Sequence, residues 1–203
     1  MQAAYGISID AGPLRQGEIL SNVVEIRLAL ASLMPDADLQ VEEIIHPFVV
    51  VLTQDCDLDW DYKSGRAPGS AMNAGKLIPN VLFCQADHAE ALRSAQGIKS
   101  DIWRRISNNA DERYHVLPEV PAELDRLSSG IAPLGLDFKR VFTVPTDELY
   151  RRLELDTRRR CFLLPPFLHS LSTRFTYFAG RVGLPMLADG QPTSPLPLPP
   201  VQA

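Results

Sequence analysis

Apolar residues fall in short blocks along this chain, separated by polar and glycine-rich stretches. Residues 14–30, "LRQGEILSNVVEIRLAL", begin with a turn that Gly17 permits and continue as a strand favoured by Val23, Val24 and Ile26. Residues 31–47 read as a polar connection. "FVVVLT", residues 48–53, is a continuous run rich in β-branched residues. Such a run predicts a strand buried on both faces or set in a barrel core. "DYKSGRAPGSAMNAGK", residues 61–76, has the composition of a mobile loop. "LIPNVLFCQA", residues 77–86, predicts a third strand whose start is bent or placed at an edge by Pro79.

Helical patterns appear further along. "DHAEALRSA" offers Asp87 as a cap with Glu90 three residues on, and residues 100–108 predict another short helix. Strands are expected at 112–120 and 136–145. A helix should follow with Thr146 as its cap and Asp147 and Glu148 in its first turn. Over residues 166–183, Leu168, Leu171, Phe175, Phe178 and Val182 recur at helical spacing. Pro166 suits the start of that helix, and Gly183 with Pro185 suits its end. Early strands and late helices predict an α+β fold, a small curled sheet or barrel with helices on one side. Residues 1–186 form one domain in this reading, and 187–203 a disordered Pro-rich tail.

Composition narrows the class. The 203 residues are 45% hydrophobic and 22% charged, enough for a folded core. A net charge of −5 argues against coating nucleic acid through bulk charge, and leaves room for a local basic patch. Three cysteines without a CxxC pair predict no disulfide framework and a cytoplasmic location. The N-terminus lacks a signal-peptide pattern, and no apolar run is long enough to span a membrane.

The candidate chemistry begins at "DCDLDWD", residues 55–61. Read as extended chain, Asp55 and Asp57 face one way and Cys56 the other. Cys56 is then a packed thiol whose flanking acids disfavour the thiolate. Two other readings stay open: a nucleophilic Cys56 served by His88 or His115, and oxygen ligands at Asp55, Asp57, Asp59 and Asp61. His46, at the entrance to the apolar strand, is a candidate acid or base. Arg113 and His115 share a strand face suited to phosphate and base contact. Arg151, Arg152, Arg158, Arg159 and Arg160 form a basic cluster, most simply a solvated helix end. Ser170, Arg174, Tyr177 and Arg181 form the polar stripe of the last helix. Salt bridges or a partner protein fit that stripe better than catalysis does.

"RQGEIL", then "HPFVVVLTQDCD", then "NVLFCQA" resembles the PemK/MazF-like superfamily of SH3-like barrels over residues 14–86, with the last helix matching a C-terminal family helix. The resemblance implies a small SH3-like β-barrel with inserted short helices and a C-terminal amphipathic helix. It also implies a cytoplasmic bacterial protein of a toxin–antitoxin or phage-defence setting that recognises nucleic acid and cuts single-stranded RNA without metal or cofactor. His46 stands where the family carries arginine, and Thr53 where it carries serine. Catalysis would then centre on His46, Thr53, Asp55 and Arg113, with RNA also meeting Arg15 and His115. The rival is a non-catalytic subunit docking a partner protein encoded nearby through Arg174, Tyr177 and Arg181. A thiol or metal-dependent hydrolase around Cys56 is the third class. A homodimer is compatible with each.

Overall fold

The computed structural model describes residues 3–29 and 40–181. Its strands are β1 (Tyr5–Ile7), β2 (Glu18–Leu28), β3 (Val41–Val51), β4 (Asn80–His88), β5 (Tyr114–Leu117), β6 (Leu134–Pro145) and β7 (Arg158–Leu163). Its helices are α1 (Asp55–Asp61), α2 (Ala89–Ala95), α3 (Ser100–Ser107), α4 (Thr146–Leu155) and α5 (Phe167–Ala179). The fold is α+β. The strands make one 7-stranded sheet in the order β1-β7-β2-β3-β4-β6-β5, with every pairing antiparallel. Among the described residues β1 does not pair with β5, so this sheet is not closed into a barrel.

The continuous apolar run of β3 follows from burial on both faces. Val50 joins Ile19, Cys84, Leu136, Phe138 and Leu171 in one core, under α5. Val49 and Val51 join Leu20, Phe83, Val144 and Leu149 in the other, under α4. Gly17 enters β2 at φ +75°, and a Cβ there would meet Leu168 Cδ1 at 2.8 Å, so the turn and the approach of α5 both require glycine. The prediction for α5 holds in its main lines. Leu171 is buried, and Leu168, Phe175 and Phe178 pack on the core.

β6 carries the main irregularity. Asp137 to Arg140 stand opposite Gln85 alone, a bulge of several residues. It turns Phe138 into the core and leaves Lys139 and Arg140 exposed.

Several sequence expectations are corrected. The segment "RRRCFL" is strand β7 between β1 and β2, not a solvated helix end. Its arginines can cross the interior because Arg159 pairs with Glu18 and Arg160 with Asp125, all four buried. β3 begins at Val41, inside the expected polar connection, because its outer half is exposed. Asp87 lies in β4 and accepts from Arg140 rather than capping α2. Thr146 is the first residue of α4, and its hydroxyl donates to the Ile78 carbonyl at 2.8 Å. "DCDLDWD" is a helix, since Asp55 and Asp57 favour the positive end of its first turn. Within 61–76, single helical turns form at Tyr62–Arg66 and Ala74–Lys76. α5 stops at Ala179, capped by Gly180. Val182, Gly183, Pro185, the boundary at 186 and the tail 187–203 lie outside the described residues. No described helix is long and apolar enough to cross a membrane.

Candidate functional site

Where the β2–β3 ribbon runs on past its pairing with β4, beside the bulge of β6, the apolar face under α4 gives way to a polar groove. Its volume is about 390 Å³, and Glu25, Arg27, His46, Gln85, Lys139 and Arg140 line it. The register places its centre. Val23 pairs with His46 and Glu25 with Ile44, so Glu25 lies diagonally beside His46 on one face. His46 is only 4% exposed. Its ring stacks on Phe142, with centroids 4.1 Å apart and planes 17° apart.

Glu25 fixes the imidazole. His46 Nε2 lies 2.9 Å from Glu25 Oε2, and Arg27 donates to the same carboxylate at 2.7 and 3.0 Å. Burial pushes the Glu25 carboxyl up, but the hydrogen bonds and charges of Arg27 and His46 more than offset this and leave it below the usual range. An ionised carboxylate only accepts. Nε2 therefore carries the proton, and Nδ1 is the basic nitrogen of the neutral ring.

Across the groove, Arg140 donates to Asp87 at 2.6 Å and Gln85 donates to the same carboxylate at 3.1 Å. Lys139 has no ion pair among the described residues. Arg27 thus faces both Glu25 and Glu42, its partner across the β2–β3 ladder, and Arg140 faces Asp87, which leaves Lys139 as the groove's unpaired cation among the described residues. An oriented imidazole, an aromatic floor and an unpaired lysine beside two arginines suit a phosphate-bearing ligand.

The other predicted residues lie apart from this groove. Thr53 follows the end of β3, seven residues and roughly 20 Å of extended chain from His46. Its hydroxyl accepts from the Leu82 amide at 2.8 Å. Asp55 accepts from the Gln16 amide at 2.7 Å and ties α1 to the turn before β2. Arg15 lies 4.1 Å over the Phe162 ring. Arg113 grips Asp137 at the bulge, with its Nε 2.7 Å from Oδ1.

His115 does not present a contact face beside Arg113, as it is buried. Its Nδ1 accepts from Arg174 at 3.0 Å. Burial, with the charge of Arg174, pulls its pKa down to about 4. Arg174 also donates to the carbonyls of Asn109, Asp111 and Tyr114, so it clamps α5 to the chain around β5. Of the predicted docking stripe, Tyr177 is well exposed, and Arg181 lies 4.0 Å over Phe178.

Cys56 is exposed, contrary to the expectation that it packs, because the helical start turns it to solvent. Cys84 and Cys161 are the buried thiols. His88 sits against Phe48, with ring centroids 5.4 Å apart, at the far end of β4. The acids of α1 are used separately. Asp59 pairs with Lys63, and Asp61 holds Arg66 and the Ile78 amide. No three His, Cys, Asp or Glu side chains among the described residues converge as metal ligands.

The sequence reading missed Glu25, Arg27, Lys139 and Arg140. Their signals were the Glu-Ile-Arg alternation at the end of β2 and the Lys-Arg pair that interrupts the pattern of β6. Comparison with known proteins adds no relative: no family model, curated protein or solved structure matches the chain.

Proposed function

We propose that this chain is a PemK/MazF-like protein that recognises nucleic acid and cuts single-stranded RNA without metal, in a bacterial toxin–antitoxin or phage-defence setting. Its curled sheet is, in this reading, a divergent and open form of the SH3-like barrel. The observation that carries the reading is the convergence of the His46–Glu25 pair with Arg27, Lys139 and Arg140 in one groove. Lys139 and Arg140 seat the phosphates, while Glu25 holds the imidazole with Nδ1 as its basic nitrogen. His46 takes the proton of a ribose 2′-hydroxyl. The 2′-oxygen bonds to phosphorus, the bond to the 5′-oxygen breaks, and the leaving oxygen takes a proton from the imidazolium. The basic side chains balance the charge that builds on the phosphoryl oxygens. Thr53, Asp55 and Arg113 have no part in this chemistry, because they lie outside the groove.

The test is incubation of the purified chain with a mixed-sequence single-stranded RNA in excess EDTA. Cleavage leaving cyclic-phosphate ends is expected. His46→Ala should abolish it, and Lys139→Ala, a surface change, should slow it without lowering the melting temperature. Cleavage that requires manganese, or that survives His46→Ala, would overturn the mechanism. The slight exposure of His46 and the acids already holding Arg27 and Arg140 favour a second reading, a subunit that docks RNA or a partner protein without cutting. Binding without cleavage would select it.

A further inference from the structure

The β2–β3 ribbon extends past the rest of the sheet. β7 pairs with β2 only over Glu18–Ser21, and β4 pairs with β3 only over Phe48–Val51. From Val23 to Leu28, and from Val41 to His46, the two strands pair only with each other among the described residues. Among the described residues, then, no strand pairs with either edge of the ribbon. The edge of β3 is protected by the adjacent acids Glu42 and Glu43 and by Pro47, which has no N–H to offer. The edge of β2 carries neither proline nor lysine.

The hydrogen-bond phase shows which groups the β2 edge presents. Ala29 N donates to Gln40 O at 3.0 Å, so Ala29, Arg27 and Glu25 exchange bonds with β3. The N–H and C=O groups of Val24, Ile26 and Leu28 consequently point outward. On the same face as these residues, Ile26, Leu28, Val41 and Ile45 are 51, 54, 50 and 58% exposed.

We propose that β2 pairs, antiparallel and centred on Ile26, with β2 of a second copy of this chain, joining two ribbons into one four-stranded sheet. The segment Val24-Glu25-Ile26-Arg27-Leu28 is its own complement in that register. Ile26 meets Ile26 and Val24 meets Leu28 on the apolar face, while Glu25 meets Arg27 on the other. The relation is a two-fold one, as a closed homodimer requires. A shift of one residue sets Arg27 against Arg27, and pairing through β3 about Glu43 sets acid against acid. Charge order and apolar order thus select both the edge and the register. The inference does not depend on the RNA reading.

Sedimentation velocity on the full chain across the micromolar range tests it. The wild type should dimerise. Arg27→Glu sets two acids against each other at both outer pairs and should weaken the dimer at least about tenfold. The double change Glu25→Arg/Arg27→Glu restores complementarity and should restore the dimer. Ile26→Pro removes an outward N–H while sparing the β2–β3 ladder, and should give a folded monomer by circular dichroism. A monomeric wild type, a dimer that survives Ile26→Pro or Arg27→Glu, or a folded double variant that stays monomeric would each overturn the proposal.

Discussion

Replacing Arg160 with methionine keeps most of its volume and removes its charge. Its guanidinium and the Asp125 carboxylate have side-chain exposures of 7% and 0%. Two donations join them, at 2.7 and 2.6 Å, and the guanidinium also donates to Ser129 Oγ at 2.8 Å. Removing one member of such a buried pair costs about 3–5 kcal/mol, because the other is left charged and desolvated. Asp125 would keep its bonds from the Leu127 amide and from the amide and hydroxyl of Ser129, which places the loss near the lower end, about 3 kcal/mol. In the wild type, burial raises the Asp125 pKa, but Arg160, the Leu127 amide and Ser129 hold it far below the usual carboxylate range. Its contribution is therefore present above the unfolded pKa and lost as pH falls through the folded one. Without Arg160 the folded carboxyl protonates more easily, so the deficit of the variant should be widest near neutrality and narrow on acidification. Urea denaturation of both proteins at pH 7 and at successively lower pH measures this. A loss under about 1 kcal/mol at pH 7, or a deficit unchanged by acid, would refute the assignment of Arg160 as the partner of a buried charge.

Three further outcomes are expected. His115 is held neutral, its pKa lowered from 6.5 to about 4, so the unfolded chain binds the proton first. Stability should fall by up to roughly 3 kcal/mol as pH drops from 6.5 to about 4, and an imidazole resonance of His115 titrating near 6.5 would contradict this. Of the three thiols, Cys56 should react promptly with a disulfide reagent, while Cys84 and Cys161 should react only on unfolding, since both are buried and burial pushes the Cys161 thiol up to about 12. Cys56→Ala should change stability by no more than about 0.5 kcal/mol in a chemical melt. Gly17→Ala should lose about 1–3 kcal/mol in the same assay, from its left-handed backbone and the contact with Leu168.

The strands and helices with strong periodicity were legible in the sequence. "FVVVLT" announced its two-sided burial, and Leu168, Leu171, Phe175 and Phe178 announced the inner face of α5. Alternation misled at "DCDLDWD", where every second residue is acidic yet the segment is a 7-residue helix. So short a segment carries little period of its own, and the dipole at its start sets its state. "RRRCFL" misled for the opposite reason. Only tertiary pairing with Glu18 and Asp125, far away in sequence, lets arginines occupy a strand inside the sheet. The candidate site was legible in His46 alone. Glu25 becomes its neighbour through the β2–β3 register, and Lys139 and Arg140 reach the groove because the bulge of β6 turns them there. Neither relation is written in local spacing.

The most direct measurement is the anisotropy of a fluorescent, mixed-sequence single-stranded RNA titrated with this chain and with Lys139→Glu/Arg140→Glu, in EDTA and at several salt concentrations. Wild-type binding that weakens steadily with salt, and is lost when the two groove cations are reversed in a protein with an unchanged melting profile, is the predicted result. No binding by the wild type at low salt, or equal binding by the charge-reversed protein, would contradict the assignment of this groove to nucleic acid.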